Sequence, residues 1–138
     1  MKKVFIMLLL LVFASPVFAA CWGEIFEKQY LDLESIKPNS ENNTISFWIK
    51  KYNKDIKQLL PMTNQKYLYS ISRWNIDCTN QKSRISSMAV YDLKENLIYS
   101  DDFVPDWNSI IPGTYADAFY RIFCLVPFDK NPIITGKE

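Results

Sequence analysis

The sequence predicts an α+β fold, a single antiparallel β-sheet with a C-terminal α-helix packed on one face and tethered by a disulfide. Three observations carry this expectation. Segments of alternating apolar and polar residues fill the chain as far as Phe103, and a helical period appears only after Gly113. Pro112-Gly113 stops the last strand, and Thr114 with Asp117 supplies a helix start. Cys124 then closes the helical stretch, with Cys78 far upstream as its natural partner.

Taken in order, the chain opens with Lys2 and Lys3, an apolar run from Val4 to Phe13, and the small residues of Ser15-Pro16-Val17-Phe18-Ala19-Ala20. That pattern predicts a secretory signal peptide over residues 1–19 and one domain over residues 20–138. Two processing routes remain open. Val17-Phe18-Ala19 suits ordinary cleavage before Ala20, whereas Ala19-Ala20-Cys21 resembles a lipobox that would lipidate Cys21. The apolar run is too short to remain as a membrane span.

Ile25 to Leu33 reads as a first strand, and Lys37 to Asn43 reads as a turn from its Pro, Asn and Ser content. Thr44 to Tyr52 is the clearest strand, with Ile45, Phe47 and Ile49 alternating against Thr44, Ser46 and Lys50. Lys54 to Asn64 is a polar connection that Pro61 keeps short of any long helix. Lys66 to Asp77 reads as the third strand, with Trp74, Ile76 and Cys78 on one side of it. Arg84 to Leu93 and Leu97 to Phe103 give a fourth and a fifth, joined by a turn at Asp92–Asn96. In the helix Tyr115, Phe119, Ile122 and Phe123 fall on one face, which marks them as core. The tail from Pro127 onward, with weak periodicity and two prolines, reads as a surface-running segment.

Charge and residue types exclude more than they assign. The formal net charge is +1, and loss of Lys2 and Lys3 tips the balance slightly acidic, so nothing points to nucleic acid. Basic residues nevertheless concentrate in the middle of the chain, where Lys50, Lys51, Lys54, Lys57 and Lys66 form a candidate binding face. The bland reading of that cluster is a solvated edge and loop surface. The chain contains no histidine, which removes the commonest general base and the Ser-His and Cys-His arrangements. Neither a phosphate-binding glycine loop nor a zinc-ligand set appears, and no cofactor is expected. Asp101 and Asp106 are the one carboxylate pair that hydrolysis could recruit, with surface acids as the plainer account. Three cysteines in an exported chain imply one bridge, Cys78–Cys124, and one odd residue, Cys21.

The ordered residues resemble the surface-adhesin protein E family. The resemblance rests on Trp22, Tyr30-Leu31-Asp32-Leu33-Glu34-Ser35-Ile36, Trp48, Asp77-Cys78, Tyr91-Asp92, Ser100, Trp107, Ile111-Pro112-Gly113-Thr114 and Cys124. It implies about six strands and a C-terminal helix held to the concave side of the sheet by the disulfide. The family's founding member is a surface lipoprotein that binds host matrix and serum proteins and haemin and can dimerise. Most relatives are small exported proteins of unknown role, so the resemblance implies the domain more than the adhesive function. Without histidine, haem ligation would fall to Tyr or Cys.

The expected function is therefore a non-catalytic exported binding protein that contacts a protein partner or an anionic surface, possible homodimer formation included. The alternatives are a periplasmic structural accessory and, behind it, a hydrolase using surface carboxylates. The expected location is periplasmic or secreted, with an outer-membrane lipoprotein if Cys21 is acylated.

Overall fold

A computed structural model describes residues 21–53 and 64–136. Eight strands form one antiparallel sheet: β1 (Trp22–Phe26), β2 (Gln29–Asp32), β3 (Lys37–Asn39), β4 (Thr44–Tyr52), β5 (Tyr69–Asp77), β6 (Lys82–Tyr91), β7 (Leu97–Asp102) and β8 (Asn108–Ser109). Their order across the sheet is β1-β2-β4-β5-β6-β7, with β3 pairing to β4 and β8 to β6. Helix α1 (Tyr115–Cys124) packs on one face, followed by a 3-10 turn and the short helix α2 (Pro132–Thr135).

The sheet and helix expected from sequence are both present, with two corrections and one addition. The first strand is a hairpin instead of one continuous strand, because Lys28 takes a left-handed conformation at φ 60° and turns β1 back onto β2. The turn expected from Lys37 to Asn43 begins only after Asn39. Lys37, Pro38 and Asn39 pair with Ser46, Ile45 and Thr44, and Pro38 is tolerated because β3 is a three-residue edge strand. The tail does run over the surface, with Pro127, Asp129, Lys130, Pro132 and Ile133 exposed, and it is anchored there. Asn131 is buried, its Nδ2 donates to the Ile122 carbonyl at 2.8 Å, and Phe128 and Ile134 pack against the core.

The core follows from the pleat of β4. Ile45, Phe47 and Ile49 all point toward α1, and each is at most 2% exposed. Their register partners Ile76, Trp74 and Ser72 on β5 extend the same face. From the helix, Phe119 and Phe123 descend onto Phe47 with ring centroids 5.0 and 4.7 Å away, and Trp74 meets Phe119 edge-on at 5.0 Å. Full burial of each ring stabilises the fold by about 1.5–3 kcal/mol. The Cys78–Cys124 disulfide then ties the end of α1 to the end of β5, across a sequence separation of 46.

The helix start is built as its residues predict. Thr114 Oγ1 accepts the Asp117 amide, and the Asp117 carboxylate accepts the Gly113 amide at 3.0 Å. Gly113 sits at φ 81°, a backbone state that disfavours a side chain.

Candidate binding surface

Because α1 covers only one face, every second residue of β4 is left on the other. These are Trp48, Lys50 and Tyr52, all half-buried and none part of the core cluster. Register sets their neighbours: Trp48 opposes Arg73, Lys50 opposes Ile71 and Tyr52 opposes Tyr69 on β5, while Tyr69 opposes Tyr91 on β6 and Lys50 opposes Tyr30 on β2. The consequence is a tyrosine ladder across four strands. Its ring centroids are 5.8 Å apart for Tyr30–Tyr52, 5.4 Å for Tyr52–Tyr69 and 4.8 Å for Tyr69–Tyr91.

Lys50 lies among these rings. Its Nζ is 4.2 Å from the Tyr69 centroid, 5.2 Å from Tyr52 and 5.8 Å from Trp22, so three aromatic faces attract the ammonium. Burial raises the Tyr69 phenol above its ordinary pKa, against the opposing pull of the Lys50 charge. The ring therefore stays a neutral platform over the whole physiological range.

Two adjoining hollows share Trp48 and Asp32. One, of about 320 Å³, has Trp22, Ile71, Ala89 and Tyr91 as its other walls. The second, of about 340 Å³, is polar, with Glu34, Ser35, Lys37 and Arg73. One face thus presents flat aromatic surface beside charges of both signs.

Trp48 is held by the turn after β2. Asp32 caps that turn by accepting the Glu34 amide at 3.1 Å, and the Ser35 hydroxyl donates to the Asp32 carbonyl at 2.7 Å. Ser35 Oγ also accepts the Trp48 amide at 2.9 Å, where β4 passes between its partners β2 and β3. Ile36 packs against the core.

The basic residues singled out by sequence do not converge. Lys50 and Lys51 are adjacent in a strand and so lie on opposite faces, Lys51 reaching across to within 5.5 Å of the Tyr115 ring on α1. Lys66 is exposed at an isolated bridge before β5, and Lys54 and Lys57 lie outside the described residues. Cys21 is exposed and unbridged, next to Trp22 on β1. Among the described residues no group of His, Cys, Asp or Glu is arranged to hold a metal ion. Asp101 and Asp106 are both exposed, the first on β7 and the second in the loop before β8. The tyrosine ladder was missed at the sequence level; the alternation of Trp48, Lys50 and Tyr52 was its one local sign.

Comparison with known proteins supports this architecture. A family model described as surface-adhesin protein E matches residues 22–125. Solved structures of Haemophilus influenzae protein E share the fold. The selenomethionine form superposes with a TM-score of 0.54 at 13% identity, covering 78% of this chain and 93% of that one. The protein from non-typeable H. influenzae gives 0.53 at 15% identity, covering 81% of each chain. Crystal form II gives 0.52 at 14%, covering 71% of this chain and 80% of that one. No curated protein sequence matches. Several residues that carry the family pattern here are scaffold: Asp32 and Ser35 brace Trp48, Asp77 and Asp92 cap turns, and Thr114 caps α1. With three quarters of its length under the family model and the matching sheet, helix and disulfide in place, this chain belongs to the surface-adhesin protein E family.

Proposed function

We propose that this chain is an exported, non-catalytic adhesin that engages a protein partner through the sheet face opposite α1. The observation that carries the proposal is the Tyr30–Tyr52–Tyr69–Tyr91 ladder with Lys50 set among its rings. Tyr and Trp are the residue types that dominate protein interfaces, because a rigid amphipathic ring buries area at small entropic cost. Arg73 and Asp32 at the rim supply charges for register. A broad anionic surface is less well matched, since Lys50 and Lys51 face opposite ways. The signal-like residues 1–19 support export, as does the disulfide, a bond that persists in oxidising compartments. Ordinary cleavage would release the domain to the periplasm or medium, and acylation of Cys21 would place it on the outer membrane.

Adhesion of the purified mature domain to epithelial monolayers and to a panel of matrix proteins tests the reading. Trp48→Ala and Lys50→Glu should abolish the binding that wild type shows, whereas Lys51→Glu, on the helix side, should retain it. Equal loss in all three variants, or in none, sinks the assignment of this face.

A further inference from the structure

Helix α1 reaches only part of the way along the face it packs on. Its ten residues span roughly 15 Å, whereas the nine of β5 span roughly 30 Å. The Cys78–Cys124 bridge fixes the helix at the Cys78 end. At the other end, beside Tyr115, the same face holds a cleft of about 520 Å³. Register builds its floor. Gln29, Lys51, Ser70 and Val90 form one row across β2, β4, β5 and β6, and Ile49, Ser72 and Met88 form the next. A neighbouring cleft of about 480 Å³ shares Trp74, Ile85 and Tyr115 but receives no charge, because register puts the Arg84 side chain on the opposite face, against Trp107.

The polar groups of the first cleft lack partners. Gln29 is 3% exposed, yet its side-chain amide makes no hydrogen bond to another described residue. Ser72, 8% exposed, accepts the Trp74 indole N–H at 3.2 Å, and its own hydroxyl proton has no acceptor among the described residues. Buried amides and hydroxyls in native proteins are almost always satisfied. Among the described residues that line the cleft, Lys51 is the sole charged side chain. Its ammonium lies 5.5 Å from the Tyr115 ring centroid, and no described carboxylate pairs with it. Aromatic walls with a few convergent polar groups are the usual composition of a small-molecule site.

We infer that this cleft binds a sugar acid of hexose size. Its carboxylate pairs with Lys51, and two neighbouring hydroxyls meet the donor and the acceptor of the Gln29 amide. The C–H face of the sugar ring lies on Trp74 and Tyr115. A ligand without hydroxyls, such as a fatty acid, is disfavoured because it would leave Gln29 and Ser72 unpaired in a drier site. The cleft lies on the face opposite the tyrosine ladder, so the inference does not rest on the adhesin reading.

D-Glucuronate is a suitable probe, with D-glucose as its uncharged counterpart, each titrated into the nitrogen-15-labelled mature domain and followed by NMR. Glucuronate should shift the Trp74 indole and Gln29 side-chain amide resonances saturably and bind more tightly than glucose by about tenfold, the gain of a charge-assisted bond. Lys51→Met should bring glucuronate down to the glucose level. Gln29→Leu should weaken both probes by about tenfold, and Met88→Trp, which narrows the cleft while keeping Gln29 and Lys51, should weaken both as well. Thermal melts of each variant establish folding; should Gln29→Leu not fold, the Lys51→Met and Met88→Trp titrations decide. Equal affinity for the two probes, unchanged binding in any folded variant, or no saturable shift, with water then the partner of the buried amide, overturns the inference.

Discussion

Ser35 Oγ accepts the Trp48 amide at 2.9 Å, so a turn after β2 supplies the hydrogen bond that no strand supplies at that point of β4. The same hydroxyl donates to the Asp32 carbonyl, which leaves no slack in its position. Ser35→Ala removes both bonds and strands the amide in a partly buried site. The expected cost is about 1–3 kcal/mol in urea or guanidinium unfolding. Trp48 is the wall shared by both hollows on the open face, so adhesion should fall along with stability. A variant as stable as wild type would show that water replaces the hydroxyl without loss.

Opening the Cys78–Cys124 bridge should cost more. A loop of 46 residues is closed by it, and in the chain-entropy model that constraint contributes about 4 kcal/mol. Cys78→Ser with Cys124→Ser should lower the melting temperature strongly while leaving a folded protein at low temperature, because Phe119 and Phe123 still bury their rings against Phe47. An unchanged melting temperature would refute a stabilising role for the bridge.

Glu95 occupies the hairpin between β6 and β7 at φ 63°, where its amide donates to the Asp92 carbonyl at 3.0 Å. A left-handed conformation costs a residue with a Cβ about 1–2 kcal/mol, partly offset for Gly by the freedom it loses on folding. Glu95 is exposed, so Glu95→Gly removes no packing. The variant should therefore be more stable by about 0.5 kcal/mol, read as a small rise in melting temperature. A fall would mean that the side chain contributes through charge.

Local rules made the sheet, the helix and the disulfide legible. In β4 the alternation of Ile45, Phe47 and Ile49 signals strand and core together, and Thr114 with Asp117 marks the helix start in four residues. The β1–β2 hairpin was hidden because Lys28 turns the chain where Gly or Asn would have announced it. Strand β3 was hidden behind Pro38, whose residue type argues against a strand except at an edge. The binding face depends on register. Tyr52, Tyr69 and Tyr91 lie on three different strands, and only the pairing of those strands stacks them. The Arg84–Trp107 contact is likewise long-range, since it joins β6 to the loop before β8.

Acid should weaken the fold through its turns and its helix cap. The Asp117 carboxyl is held below its ordinary value of 3.8 chiefly by the Gly113 amide, with Arg121 assisting. Asp92 is lowered chiefly by the Asn96 amide, then by that of Lys94. For Asp77 desolvation is the largest single influence and acts upward, yet the bonds from Asn80 and Thr79 together outweigh it and the net direction is down. In each case the unfolded chain takes up the proton more readily than the folded one. The stability these groups contribute is therefore complete above the ordinary carboxylate pKa and lost as pH falls through the depressed folded values. Tyr69 acts at the other extreme. Its burial disfavours the phenolate, so stability should decline as pH rises past the ordinary tyrosine value of 10.0 and through the raised folded one. Melting temperatures between pH 3 and 6 should drop on the acid side in wild type and drop less in Asp92→Asn with Asp117→Asn, which starts lower at neutral pH. Parallel curves would locate the acid sensitivity in other carboxylates.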